Sequence, residues 1–291
     1  MFLFRSDFTI FWFNHLRVNN FILNIIIIII FLSLLLNFFV KFLKNSNINY
    51  NVDYFSSIFN LIIFIPIMFL SNTLYTFLFV LELNSLLILY KFSVSRSWFP
   101  KNNYFNKNSN TFDRFLPRSY LNMMFFQYWA NFFSSMLLMF SIFNIIYLFG
   151  SSEWSFLNFI NYSNHYNLYF YKTFYMLFLW LPFFIGLFFK IGFTPLHLFK
   201  IEVYKGIPFI SIFFYTTLYF LSFFLFFVLI IFYNINTFKI YWNIVLMTFI
   251  ISGLFYSVIL LFDVNLIKSF FAYSTVVNVL TFMVILYMSI N

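Results

Sequence analysis

The sequence predicts an all-α fold, a polytopic transmembrane bundle of about eight spans in which one helix is broken. Three observations predict it. Of the 291 residues, 64% are hydrophobic and only 8% are charged, so the chain lacks the charges that a water-soluble surface needs. Uncharged runs long enough to cross a membrane recur along the chain. One run ends in a lysine that is followed closely by a glycine and a proline, the residue types that interrupt helices.

Composition excludes several classes of function. The chain has no cysteine, so it forms neither disulfides nor thiolate metal sites. Its three histidines, His15, His165 and His197, are too scattered to indicate a metal cluster. We therefore expect no metal and no cofactor. The net charge of +9 comes from basic residues in loops, where it indicates control of membrane topology rather than nucleic-acid binding.

The residue bias points to an organelle. The chain has 55 Phe and 21 Tyr but only two alanines, and Phe, Ile, Tyr, Asn and Lys are the residues with AT-rich codons. This bias indicates an AT-rich organellar genome. Residues 1–17 lack the Ser- and Arg-rich amphipathic pattern of a cleavable presequence, so we expect synthesis inside the mitochondrion.

The spans are predicted from the uncharged runs, since a hydrocarbon core about 30 Å thick takes about 20 helical residues. The predicted spans are residues 21–43, 54–71, 73–92, 119–149, 173–203 (broken), 207–233, 240–262 and 266–290. Residues 8–18 are interpreted either as a short interfacial helix or, equally, as an N-terminal tail. There is no β-barrel alternation and no strong internal repeat.

Loop charge predicts the orientation. The longest loop, 93–118, is strongly basic, so the positive-inside rule predicts that it faces the matrix. Counting spans outward places further basic residues on the same side, namely Lys41, Lys44, Lys200, Lys205 and Lys268. The opposite side receives residues 150–172, and Arg5 and Arg17 also fall there, against the rule.

The broken span contains the first candidate site residue. An uncharged run from Thr173 to Phe189 is followed by Lys190, Gly192 and Pro195. An amine beside a backbone break is typical of membrane proteins that move ions, because the break frees carbonyl groups and a half-helix dipole end that stabilise or shift a buried proton. The alternative is a helix that ends early, with Lys190 reaching to the lipid headgroups.

Glu82 is the second candidate, as the only acid between Tyr54 and Tyr90. A carboxylate in mid-membrane costs about 2.5–3.5 kcal/mol, so it needs a partner or a function. Its alternative state is a protonated Glu bonded to a neighbouring helix. We expect Lys190 to be its partner, within direct or one-water reach inside the bundle. Such a pair exists as two ions or as two neutral groups, and switching between the two states moves a proton without a cofactor.

Three further groups follow the break. His197 is interpreted either as a proton relay, since its ordinary pKa is near 6.5, or as a cap for the freed backbone groups. Lys200, Glu202 and Lys205 are interpreted as loop charges at the matrix end rather than as catalytic groups.

The stretch FKIGFTPLHLFKIEVYKGIP resembles the signature of subunit 2 of mitochondrial respiratory complex I (NADH:ubiquinone oxidoreductase), one of the antiporter-like proton-channel subunits. Phe199 replaces the usual Trp, and Ile201 stands where that family has Pro. The matching residues are Lys190, Gly192, Pro195, His197, Glu202, Val203, Gly206 and Pro208.

The resemblance implies roles for individual residues. LELNSL is similar to the family's glutamate helix, which places Glu82 at the entrance of a lateral proton path. A weaker match, DVNLIKSFFAYSTVVNVL, aligns Lys268 with a basic position, but Asn278 replaces a His. The family's buried Lys near Tyr219–Phe220 is missing, as is a Lys early in 119–149. Water and hydroxyl groups would have to fill the gap, the candidates being Tyr215, Thr216, Thr217 and Tyr219.

The resemblance also implies an organisation and a function. It covers residues 54–290, with an extra segment 1–53, a five-helix unit 54–233, and residues 234–291 as the first two helices of an incomplete second unit. We expect other membrane-arm subunits, lipids and a separately encoded chain to pack against it. The implied function is proton translocation without a redox centre, in the mitochondrial inner membrane. The alternatives are a scaffold subunit that does not pump and a free-standing cation/proton antiporter.

Overall fold

The computed structural model describes residues 9–11, 13–18, 20–43, 52–95, 118–157, 170–234 and 239–290, and these residues are almost entirely helical. A hairpin of two strands, β1 (Thr9–Phe11) and β2 (Leu16–Val18), comes first. The helices are α1 (Asn20–Leu43), α2 (Val52–Leu70), α3 (Leu74–Val94), α4 (Arg118–Phe149), α5 (Phe170–Ile191), α6 (Leu198–Gly206), α7 (Phe209–Phe214), α8 (Leu221–Asn234), α9 (Lys239–Phe262) and α10 (Ile267–Ile290).

Each predicted span coincides with a helix, and the predicted helical membrane bundle is confirmed. Three helices in the described part of the chain are long and apolar enough to cross a membrane, namely Leu74–Val94, Ser119–Phe149 and Ile267–Ile285. Shorter apolar helical stretches are Ile22–Leu36, Ser56–Leu70, Phe178–Ile191, Ser211–Phe227 and Met247–Phe262. The count of eight spans stays a prediction. Most of the basic loop 93–118 lies outside the described residues.

The N-terminal segment differs from both sequence interpretations. Strands β1 and β2 form an antiparallel hairpin rather than an interfacial helix or a tail, with a turn at Phe13 (φ 50°) and Asn14 (φ 70°). The turn packs on the link between α2 and α3, where the His15 carbonyl accepts from the Asn72 backbone amide at 2.9 Å. The Asn14 carbonyl accepts from the Asn72 side chain, also at 2.9 Å. This segment therefore forms a hairpin because hydrogen bonds to the α2–α3 link satisfy backbone groups that would otherwise lack partners.

Hydrogen bonds between links and helix ends show which of them lie at the same end of the bundle. At one end, the Trp154 amide donates to the Asn72 carbonyl and the Leu74 amide donates to the Ser152 carbonyl. At the other end, the Tyr120 hydroxyl lies 3.4 Å from the Phe92 carbonyl, close to the start of the basic loop. The link between α2 and α3 thus lies at the same end of the bundle as residues 152–154, as the span count predicts. Which end faces the matrix stays a prediction.

An aromatic cluster joins α3, α5 and α8 in the centre of the bundle. The rings of Phe77 and Phe226 stack with centroids 4.6 Å apart. Phe183 lies 6.1 Å from Phe77, and Trp154 meets both rings edge-on. Such pairs contribute about 0.5–1.5 kcal/mol each beyond area burial. Close packing of this kind matters here because lipid supplies little hydrophobic drive between helices.

The predicted break in the fifth span is confirmed. Helix α5 ends at Ile191, residues 192–197 form turns, and α6 begins at Leu198. Gly192 has φ 70°, a conformation that costs other residues about 1–2 kcal/mol. The amides of Gly192 and Phe193 both donate to the Phe188 carbonyl, at 2.9 and 3.0 Å. The backbone therefore satisfies much of its own hydrogen bonding through the break.

A π-helical segment, Tyr215–Phe220, lies between α7 and α8. Both junctions keep right-handed helical dihedrals, at Tyr215 (φ −65°, ψ −40°) and Leu221 (φ −63°, ψ −41°), so residues 209–234 form one continuous helix. π-helical turns are rare and are often found at functional sites. This one faces the break.

Candidate functional site

The structure brings Glu82 and Lys190 together. The Lys190 Nζ donates to Glu82 Oε1 at 3.1 Å, although the residues lie on different helices, α3 and α5. The Lys190 side chain is 0% exposed and that of Glu82 is 30% exposed. The predicted direct contact is confirmed. The alternative, in which Lys190 reaches to the lipid headgroups, is wrong.

Local structure positions both groups. Thr73 and Thr76 form a reciprocal capping box that fixes the start of α3, about two turns before Glu82. The Ser85 hydroxyl lies 2.8 Å from the Glu82 carbonyl and 3.3 Å from Glu82 Oε2, so these two oxygens share its one proton. Lys190 lies in the last turn of α5, where the helix dipole favours a cation. The pair is thus oriented by its own helices.

The energetics of the pair leave both protonation states accessible. Taking each ion out of water costs several kcal/mol, and only good geometry and further hydrogen bonds offset that cost. Here Lys190 has one carboxylate contact, and Glu82 has Lys190 and Ser85. Because Glu82 is partly exposed and Lys190 is not, a proton that reaches the pair from outside this chain meets the carboxylate first.

His197 does not cap the break. Its side chain is buried, and neither ring nitrogen makes a hydrogen bond of good geometry with any described residue, although the Pro195 backbone lies nearby. The ring instead contacts Tyr256 and Tyr273 edge-on, with centroids 5.6 and 6.2 Å away. The capping interpretation is wrong. The relay interpretation stays a prediction.

Lys200 is not a loop charge, which corrects the sequence interpretation. It is 0% exposed, and its Nζ lies 3.6 Å from the ring centroid of Phe220. The reason is the break: α6 starts beside the other helices, so the face of its first turn that carries Lys200 is enclosed by them, although Leu198 is exposed. Glu202 and Lys205, one turn further on, do form an ion pair with each other and are about one-third exposed (31% and 34%).

A row of buried tyrosines fills part of the space where the sequence lacks a lysine. The rings of Tyr215 and Tyr219 stack 5.4 Å apart, and Tyr204 meets Tyr215 edge-on at 5.9 Å. Tyr219 lies within electrostatic reach of Glu82. The hydroxyl groups of Thr216 and Thr217 do not extend this row. Both donate to the Phe213 carbonyl of their own helix.

Lys268 is an anchor. Its Nζ donates to the Ile207 carbonyl at 2.7 Å and lies 3.4 Å from the Lys205 carbonyl, at the C-terminal end of α6. A cation there satisfies carbonyl groups that have no intrahelical partner and complements the helix dipole. This geometry ties α10 to α6. Asn278, further along α10, is exposed and lines a groove of about 480 Å³ beside Phe220.

Two buried polar features were missed from the sequence. Lys91 is 3% exposed, with its Nζ 4.1 Å from the ring centroid of Phe214, although it stands just before the basic loop 93–118 in the sequence. Gln127 and Asn131 are buried on α4, and the Gln127 side chain lies beside Tyr215. The sequence signal for this pair is the i, i+4 spacing of two amide side chains in an apolar helix, which places them on one helix face. Among the described residues no group of three or more His, Asp or Glu is placed to hold a metal.

Comparison with known proteins agrees with this architecture. A curated relative, the uncharacterized mitochondrial protein ORF4 of Paramecium tetraurelia, is 42% identical over 79 residues, which is 27% of this chain and 51% of the relative. The match thus spans about half the length of that relative. The family model for NADH:quinone oxidoreductase/Mrp antiporter transmembrane proteins matches residues 120–291, more than half of the chain. This segment includes Lys190, the break and the tyrosine row, and the chain therefore belongs to the NADH:quinone oxidoreductase/Mrp antiporter transmembrane family.

Proposed function

We propose that this chain is subunit 2 of the membrane arm of mitochondrial respiratory complex I and takes part in proton translocation coupled to NADH oxidation by ubiquinone. It acts as a non-redox subunit of that enzyme. The observation that carries the proposal is the contact between Glu82 and a fully buried Lys190, one residue before a helix ends inside the bundle. Family membership supports the broader class of complex.

The mechanism follows from the pair. In one state Glu82 is a carboxylate and Lys190 an ammonium; in the other the proton has moved between them and both are neutral. A conformational change that separates the groups disfavours the charged state of both, because each then lacks its counter-ion. Lys190 would then release its proton inward, and Glu82 would take up another from its exposed side. His197 and Lys268 are weaker candidates for later steps.

Location and partners belong to the same proposal. The mitochondrial relative supports the mitochondrion as the location, and we propose the inner membrane. Large apolar side chains on α9 and α10, including Phe255, Ile259 and Phe282, are exposed in the isolated chain. We propose that other membrane-arm subunits, lipids and a separately encoded chain cover them. The proposed units are residues 54–233 as an antiporter-like unit, 234–291 as part of a second, and 1–53 as an additional segment.

The scaffold role is the second candidate, and one observation favours it: the continuous helix 209–234 carries no lysine of its own. The two candidates differ in whether Lys190 must change its protonation state. The test is Lys190→Met in assembled complex I in sealed inner-membrane vesicles. We expect fewer protons translocated per NADH oxidised, while NADH oxidation by an artificial electron acceptor continues, because the redox centres lie elsewhere.

Lys205→Met is the matched control, since it removes the same charge from a partly exposed side chain whose partner is Glu202. It should leave the proton-to-electron ratio unchanged. An unchanged ratio in fully assembled Lys190→Met complex would instead favour the scaffold role.

A further inference from the structure

Lys200 is a buried ionisable group that the mechanism above does not use. Its side chain is 0% exposed, and its Nζ has no hydrogen-bond partner among the described residues. The Lys200 Nζ lies over the face of Phe220, 3.6 Å from the ring centroid. An aromatic face attracts a cation, but it offsets only part of the cost of removing an ammonium from water. The surroundings therefore do not fix Lys200 in its charged form.

The stem of Lys200 lies directly against the break. A Cβ added at Gly192 would lie 3.0 Å from Lys200 Cδ and 3.5 Å from Lys200 Cβ. Gly192 comes two residues after Lys190, so the absence of a side chain there lets Lys200 pack against the end of the helix that carries Lys190. The two lysines thus flank one short stretch of backbone.

The π-helical segment contacts Lys200 and lies near Glu82. Tyr219 is buried within electrostatic reach of Glu82, and its neighbour Phe220 contacts the Lys200 ammonium. The Tyr219 hydroxyl has no hydrogen-bond partner among the described residues. A hydroxyl that both donates and accepts is suited to pass a proton between two groups.

Other polar groups lie on the break, on α6, on α4 and on α10. His197 lies within electrostatic reach of Lys200 on the break itself. Tyr204 on α6 lies beside Thr275 of α10. Gln127 approaches from α4. Beyond Lys200, Tyr204 on the same helix therefore adjoins α10, whereas Glu202 and Lys205 pair with each other at the bundle surface.

We propose that Lys200 is a second proton-binding group of this chain, which exchanges protons with the Glu82–Lys190 pair across the break at Gly192. In this step the Lys190 ammonium loses a proton and becomes an amine, and the Lys200 amine gains it, directly or through an intervening hydroxyl such as that of Tyr219. The proposal rests on the proposed function.

The test compares Lys200→Met with Lys205→Met on the same helix, in assembled complex I in sealed vesicles. Proton flux through this subunit should fall by on the order of 10²-fold in Lys200→Met, and the total protons per NADH should fall by this subunit's share. Lys205→Met should match the wild type. Lys200→Arg should fail like Lys200→Met, because a guanidinium keeps its proton.

A second-site variant separates proton transfer from packing. Because the Lys200 ammonium lies over Phe220, Phe220→Lys in the Lys200→Met background returns an amine to the same place from the opposite helix. We expect this double variant to recover translocation. Recovery of assembly without translocation would overturn the proposal, as would full translocation in Lys200→Met or in Lys200→Arg.

Two comparisons keep the outcomes distinct. If Lys200→Met does not assemble, Lys200→Gln replaces it, and assembled Lys200→Gln with wild-type translocation overturns the proposal. Lys190→Met is measured beside these variants. If it also pumps normally, the proposed function fails; if only the Lys200 variants pump normally, only this inference fails.

Discussion

At the scale of single residues, the two partners of the buried pair differ in their environments. Lys190 is fully enclosed, whereas 30% of the Glu82 side chain is exposed. Removing one partner of a buried pair costs about 3–5 kcal/mol when the remaining charge is left without compensation. The cost should therefore depend on which partner is removed.

We expect Glu82→Gln to destabilise the chain more than Lys190→Met. Glu82→Gln leaves the enclosed Lys190 amine without a counter-ion, at a cost of about 3–5 kcal/mol. Lys190→Met leaves the Glu82 carboxylate, which is partly exposed and lies beside Ser85. Thermal melting of the detergent-solubilised complex measures the difference. The double variant should recover much of the loss, because the two effects are coupled. Equal losses in the two single variants would contradict this reading of the pair.

The sequence located this pair but not Lys200, for a physical reason. Glu82 and Lys190 interrupt long apolar runs, so their burial could be inferred from the sequence. Lys200 stands close to Glu202 and Lys205, in a local pattern typical of a loop. Only the position of α6 after the break, within the bundle, encloses it, and that position depends on tertiary packing.

At the scale of elements, the break at residues 192–197 determines the site. Gly192 has two functions there, since it adopts φ 70° and leaves space for the Lys200 side chain. Gly150 has nearly the same dihedral, φ 71°, but a Cβ added there would meet nothing within 4 Å. Gly150 is thus a control that separates the cost of the backbone conformation from the cost of crowding by Lys200.

We expect Gly192→Ala to cost more stability than Gly150→Ala. Both should lose about 1–2 kcal/mol from the left-handed backbone conformation. Only the alanine at position 192 also displaces Lys200, whose Cδ lies 3.0 Å from the added Cβ. Thermal melting should therefore show the larger loss for Gly192→Ala, and proton translocation should fall in that variant alone. Equal losses and equal translocation would mean that the contact with Lys200 is unimportant.

Most helices and the break could be predicted from the sequence, because apolar runs and helix-interrupting residues are local signals. The hairpin at residues 9–18 could not, since its formation depends on Asn72 and its neighbours, far away in sequence. The π-helical segment was also invisible, because Tyr215–Phe220 lies within an uninterrupted apolar run.

At the scale of the whole molecule, the chain is a helical bundle of the NADH:quinone oxidoreductase/Mrp antiporter transmembrane family, with the Glu82–Lys190 contact and a row of buried tyrosines among its helices. The proposed proton transfer through these groups requires neighbouring structures through which protons enter and leave. Membership of a larger membrane arm is thus the central claim, and it separates the proposal from a free-standing antiporter.

A density map of respiratory complex I purified from native mitochondria tests this claim most directly. The account predicts this chain in the membrane arm, with the head groups of Glu82 and Lys190 in contact inside the bundle and with protein helices along α9 and α10. A complex that lacks this chain, or a map in which the Lys190 head group points into lipid, would contradict it.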